Sequence, residues 1–388
     1  MKKLIAINFI DHFVTAALMI TIPLLLLARG IEIYKIGIIF SILPLVFLVV
    51  RLFFSAVADQ LGTKLFFIIN SVTNALCPAI YCIAASLPIF ALGKVFEGIK
   101  SSSFWAVIRT ETYLSSKKGE EEKNAAFLYG VRAIGTCLGT VMAGWSLTHF
   151  SFSLTLLSLF FSSLFLFLPT FLLKSKPGKI ALPQTLLLLD FRKKSAQFWL
   201  VSSAILFNGM ALFSLLDFVF PIFMKTQLSL SYAQIGEFLA LFYLISSLAT
   251  FLTLKLEVPY SQILLLQLLS FLPAVLMLPF GSQVIFPFIF TILAVGEGLS
   301  HVIFEALVAT TTKGLISTST DIGILHIPMR LSEFATVFAG GFIIEKFGYF
   351  PIFAISASSF LLFSILSLNC LKSDACKPDS WFLRRFQL

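Results

Sequence analysis

Two stripes of ionisable residues interrupt stretches of this sequence that are otherwise apolar. Glu297, His301 and Glu305 recur every four residues, so a helix through them carries all three on one face. Lys94, Glu97 and Lys100 recur every three and alternate in sign. Asn8, Asp11 and His12 lie near the start, Asn208 and Asp217 in mid-chain, and His326, Arg330 and Glu333 near the end. A carboxylate shielded from water and an imidazole both exchange protons near neutral pH. The chemistry on offer is therefore proton relay and contact with a polar solute. Two carboxylates and an imidazole are also acceptable metal ligands, but no second His and no Cys stands beside them, so no metal site is expected. Plainer readings stay open. Lys94, Glu97 and Lys100 could be an internal salt-bridge set, Asp11 the partner of a basic residue, and Asp217 a wetted group near the outer end of its span. No Ser-His-Asp set, HExxH or phosphate loop is found, so neither an enzyme nor a cofactor is expected.

These groups need positioning elements, and composition says what kind. The 388 residues are 58% hydrophobic and only 12% charged, with a mean hydropathy of +0.98. A chain this poor in charge cannot coat a globule with polar surface. Apolar runs long enough to cross about 30 Å of hydrocarbon as helices fall at 4–28, 34–55, 65–87, 89–113, 126–147, 152–173, 198–224, 233–254, 260–279, 285–311, 322–344 and 349–370. Helices are required, because backbone groups in lipid must pair within their own segment. The first run carries Asp11 and His12 and is too long for a cleaved leader.

Charge placement then orients the chain. Of 28 basic residues, eighteen fall on one predicted side, four on the other and six within or at the ends of spans. That skew predicts cytoplasmic termini and argues against nucleic acid as the partner of the +9 net charge. Arg109 and Arg132, near the cytoplasmic ends of spans 4 and 5, are expected to pair with loop acids or lipid phosphate. None of the five cysteines falls in an outer loop, so no disulfide is expected.

The chain also repeats itself at an offset of about 200. Residues 95–112 and 295–312 match at seven of eighteen positions, including the intramembrane pairs Glu97-Gly98 and Glu297-Gly298. Weaker echoes are Pro23 with Pro221, Ile36-Gly37 with Ile235-Gly236, and Ala143-Gly144-Trp145 with Gly340-Gly341-Phe342. The expected layout is all-α: twelve transmembrane helices in two pseudo-symmetric six-helix bundles. The bundles would span 1–174 and 198–371, with a cytoplasmic linker at 175–197 and a tail at 372–388. Within the linker, Ile180 to Asp190 is apolar enough to lie along the membrane surface.

Between spans 2 and 3, Ser55-Ala56-Val57-Ala58-Asp59-Gln60-Leu61-Gly62-Thr63-Lys64 resembles the loop signature G-x-L-A-D-R-x-G-R-K of the major facilitator superfamily. Lys94-Val95-Phe96-Glu97-Gly98 looks like that family's span-4 pattern R-x-x-Q-G. Gly135 to Gly144 looks like its span-5 pattern G-x-x-x-G-P-x-x-G-G, with Thr140 for the proline and Ala143 for one glycine. The resemblance implies two rocking bundles around a cavity lined by spans 1, 4, 7 and 10. It implies that Asp59, with Gly62 and Lys64, latches against the start of span 11. Gly135, Gly139 and Gly144 are expected to admit close helix packing.

The resulting expectation is a monomeric secondary transporter in the plasma membrane, driven by alternating access and coupled to protons. Its solute and proton path would use Asp11, Lys94, Glu97, Lys100, Glu297, His301, Glu305 and Glu333. A non-transporting protein of the same fold, such as a lipid scramblase or nutrient sensor, is the alternative.

Overall fold

The computed structural model describes residues 1–117, 121–174, 194–312 and 318–372. Twelve helical segments cross it in alternating directions. The first six are α1 (Lys2–Ala28), α2 (Ile33–Leu61), α3 (Lys64–Ile83), α4 (Leu87–Ser115), α5 (Glu121–His149) and α6 (Phe152–Leu164, resumed at Phe167–Phe171). The second six begin with α7, which runs Ala196–Ser214, passes through a π turn at Leu215–Val219 and resumes at Phe220–Thr226. They continue with α8 (Tyr232–Lys255), α9 (Tyr260–Met277), α10 (Phe286–Thr312), α11 (Thr318–Leu325, then Ile327–Phe347) and α12 (Phe350–Lys372). No strand occurs among the described residues. Eleven segments are long and apolar enough to cross a membrane; α4 is as long, but Lys94, Glu97, Lys100, Arg109 and Glu111 make it too polar to qualify on composition.

Packing repeats from half to half. In the first half α1 packs on α5 and α6, α4 on α2 and α3, and α3 on α6. The second half repeats each pairing six helices later: α7 on α11 and α12, α10 on α8 and α9, and α9 on α12. The halves meet chiefly along α2 with α11 and α5 with α8, which a twofold axis would exchange. This is the arrangement of two pseudo-symmetric bundles. The outer surface is apolar, with Val49, Phe53, Phe165, Leu168, Leu269 and Phe288 exposed, as a lipid-facing wall should be.

One face, the terminal face, carries the start of α1, the end of α6, the start of α7 and the end of α12. There Lys3 donates to the Leu172 carbonyl and Lys64 Nζ to the Phe171 carbonyl at 3.1 Å, tying α1 and α3 to the end of α6. Gly62, at φ +83°, ends α2 in the left-handed region that favours glycine.

The opposite face is closed by two crossings of glycine on glycine. Gly37 of α2 lies against Gly341 of α11, and Gly144 of α5 against Gly236 of α8; a Cβ on either member of the second pair would sit 3.0 Å from the other glycine's Cα. Small residues allow this approach, and in lipid such contact is a main source of helix association. Each crossing carries an equivalent hydrogen bond at a helix start. The Tyr34 N–H donates to Glu345 Oε2 at 3.1 Å, and the Ala233 N–H to Thr148 Oγ1 at 3.0 Å. One free amide at the start of each of α2 and α8 is thus satisfied by the other half.

Candidate functional site

Between the bundles lies a cavity of about 550 Å³. Its wall begins at Phe40, Lys94 and Val337, just inside the glycine crossings, and descends to Ser55, Leu114, Val308 and Ile322 near the terminal face. It is therefore shut toward one face and reached from the other. Five cations (Arg51, Lys94, Arg109, Arg132, Arg330) and five acids (Glu97, Asp217, Glu297, Glu305, Glu333) line it, so its character depends on which of them are paired.

Local breaks in two helices supply part of this set. The π turn of α7 inserts one residue into the helical ladder and places Asp217 on the cavity wall. In α11, Pro328 lacks the amide that would bond back to Ile324, so the helix interrupts at His326. Ser202 Oγ donates to the Leu325 carbonyl at the break, at 2.8 Å. The break puts His326, Met329, Arg330 and Glu333 on the wall.

Near the closed end, Lys94 Nζ lies 3.0 Å from both carboxylate oxygens of Glu97, and Tyr81 donates its hydroxyl hydrogen to the same carboxylate. Lys94 also sits 3.8 Å from the centre of the Phe40 ring. Across the cavity, Arg330 donates to Glu333 at 2.5 Å. The charges bearing on Asp217 come from both halves: Glu333, Lys94, Arg330 and Glu97.

Toward the terminal face the wall becomes aromatic. Tyr129 stacks on His301 at 5.0 Å and 24°. Arg132 lies over Tyr129 at 4.5 Å and over Trp105 at 5.1 Å. Glu297 accepts a hydrogen bond from Ser246, and the cation bearing on it is Arg132. At the mouth Arg109 of α4 meets Glu305 of α10 at 3.2 Å, an ion pair between the halves with both side chains about 40% exposed. No group of three His, Cys, Asp or Glu among the described residues is arranged to hold a metal ion.

The pattern of a Major Facilitator Superfamily domain matches residues 4–320. The chain belongs to that superfamily. Among solved structures, a point mutant of the nucleoside transporter NupG shares the fold with a TM-score of 0.70 and 14% identity, over 95% of this chain and 99% of that one. A search of curated proteins gave no match.

Within this superfamily member, the residues singled out from sequence divide into four groups, the packing glycines being the last. Lys94, Glu97, Glu297, His301, Glu305 and Glu333 line the cavity. Asp11 and Lys100 do not; they lie inside the first bundle. Asp11 accepts from Asn70 Nδ2 at 2.9 Å and Asn74 Nδ2 at 2.8 Å, and Lys100 donates to Thr15 Oγ1 at 2.5 Å. The loop motif is the third group. Gly62 and Lys64 are placed as above, whereas the Asp59 side chain, like the surface segment expected at 180–190, lies outside the described residues. Gly135 and Gly139 of α5 face the α1 backbone at Phe9 and Phe13, and Gly144 faces α8.

Other wall residues were legible only as types. Asp217 does not sit in a wetted surface position but on the cavity wall, carried there by the π turn. Arg109 and Arg132 face the cavity as well, where Arg109 pairs with Glu305 rather than with a loop acid. The aromatic partners Trp105 and Tyr129 carry no sequence signal beyond lying on α4 and α5 near those arginines.

Proposed function

We propose that this protein is a secondary transporter that moves a small polar solute by alternating access, with proton coupling. The supporting observation is a cavity rich in charge, set between two equivalent bundles, shut toward one face by paired glycines and reached from the other. Charge at membrane depth is unfavourable unless it borders water or a partner, and here the wall provides both. The basic skew of the sequence makes the terminal face cytoplasmic and the conformation inward-facing. The bundles are assigned to 1–174 and 198–371, with 175–197 as linker and 372–388 as tail, in a plasma-membrane protein that is monomeric and not an enzyme.

The two repeat-equivalent carboxylates are not equivalent in surroundings. Glu97 is neutralised by Lys94 at 3.0 Å, whereas Glu297 leans on the Ser246 hydroxyl. A carboxylate without a fixed counter-cation is the one free to gain and lose a proton, so Glu297 is assigned the coupling role and His301, one turn away, the relay. Asp11 and Lys100 keep the first bundle together.

The test is transport by the full chain in proteoliposomes. Labelled nucleosides, carboxylates and amino acids are offered first by counterflow, then under an imposed pH gradient. Saturable counterflow that becomes accumulation when the gradient is imposed supports the reading. Counterflow indifferent to the gradient removes proton coupling, and no counterflow of any solute removes transport.

A further inference from the structure

Within the cavity, three guanidinium groups from three helices converge: Arg51 of α2, Arg109 of α4 and Arg330 of α11, with the His326 imidazole in the same field. Two of them have carboxylates, since Arg109 pairs with Glu305 and Arg330 with Glu333. Arg51 has neither ion pair nor hydrogen bond among the described residues. The charges acting most strongly on it are Arg330 and Arg109, both of its own sign. Its guanidinium lies 5.3 Å from the centre of the Phe47 ring, and that of Arg330 lies 4.2 Å from the same centre. One ring thus carries two cations, one from each half of the protein.

Packing does not call for this arrangement. An apolar side chain at position 51 would cover Phe47 without placing a third like charge beside Arg109 and Arg330. A cation held in a low-dielectric wall without a counter-ion is unfavourable, and ring contact offsets only part of that. The acids without a cation in contact, Asp217 and Glu297, do not serve Arg51: the cations acting on Asp217 are Lys94 and Arg330, and the one acting on Glu297 is Arg132.

The geometry points to an anion subsite formed by Arg51 and Arg330 across the two halves, which takes the carboxylate or phosphate group of an organic anion. Guanidinium groups present paired N–H donors that match the oxygens of either group. The apolar or ring-bearing body of the solute packs against Phe304 and Trp105, which line the same cavity. Because the two arginines belong to different bundles, a bound anion draws the halves together at the terminal face. This substrate class rests on the carrier reading above.

The test uses the full-length protein in detergent and titrates benzoate, phenyl phosphate and uncharged benzamide by calorimetry at matched ionic strength. At least one anion binds saturably and benzamide does not; the tighter anion tells carboxylate from phosphate. Arg51→Gln weakens anion binding by roughly 10- to 100-fold, the loss expected for a charge-assisted hydrogen bond. The ligand-free R51Q protein melts no lower than wild type, because a repelled cation has been removed; a merely structural Arg51 would lower it. Equal binding of benzamide, no binding of either anion, or unchanged anion affinity in R51Q overturns the subsite. Anion binding without any solute movement in liposomes would instead remove the carrier reading and leave the subsite standing. Counterflow of a neutral solute that survives R51Q would do the reverse.

Discussion

Replacing Gly236 by alanine should open the closed face. A Cβ at this position would sit 2.5 Å from the Thr140 carbonyl oxygen and 3.0 Å from Gly144 Cα, both rigid backbone atoms of α5. Ordinary contact is about 3.5–4.0 Å, so α8 and α5 must part by roughly 1 Å. Overpacking of this kind costs about 1–3 kcal/mol, which is roughly a 5- to 150-fold shift away from the closed crossing. The equivalent crossing at Gly37 and Gly341 stays intact, so the protein should still fold. Spin labels at the exposed positions His149 and Gln227, in a background with its cysteines replaced by serine, report the separation of the halves at this face. Gly236→Ala should broaden the distance distribution toward longer values, and adding Gly37→Ala should shift it further. A G236A distribution that matches the parent would refute the argument that glycine contact holds the face shut.

Glu297→Gln should abolish accumulation driven by a pH gradient while leaving counterflow within a few-fold of wild type. Glu97→Gln should depress both, because it strands Lys94 next to the Phe40 ring. Identical phenotypes would remove the distinction between the two carboxylates. Asp11→Asn should lower the melting temperature, since it replaces the carboxylate that accepts from both Asn70 and Asn74 inside the first bundle, an effect on the order of 1–3 kcal/mol; an unchanged melting temperature would contradict the structural role given to Asp11. Arg109→Glu should slow transport at least tenfold by setting two acids against each other at the cavity mouth. Adding Glu305→Arg should restore it if the ion pair between the halves matters as a contact.

The spans could be read from sequence because lipid imposes one rule on every segment. The repeat could be read because Glu97-Gly98 and Glu297-Gly298 are rare inside apolar helices. The Ile-Gly and Ala-Gly or Gly-Gly echoes mark the glycine crossings themselves, although nothing in the sequence said they would touch. Rotation about each helix axis was harder to anticipate. At about 100° per residue, Glu297, His301 and Glu305 spread over only some 80° and reach the cavity together. Lys94 and Lys100, six residues apart, differ by about 120°, so Lys94 faces the cavity while Lys100 turns into its own bundle. Asp217 reads as a wetted group from its depth near the outer end of its span, and depth alone does not show which way the π turn directs it. The role of Arg51 depends on a Phe47 ring shared with a helix some 280 residues away, which no local pattern records.

Alternating access requires that one charged cavity between the bundles be exposed to the two sides of the membrane in turn. Ser247 lines that cavity on α8 and is not among the ion-paired groups. With Ser247→Cys in a cysteine-free background and oriented vesicles, a membrane-impermeant thiol reagent can be applied from either side. Labelling should come from the terminal-face side at rest and gain a component from the opposite side when a transported solute turns the protein over. Labelling confined to one side under every condition, or absent from both, would contradict the account.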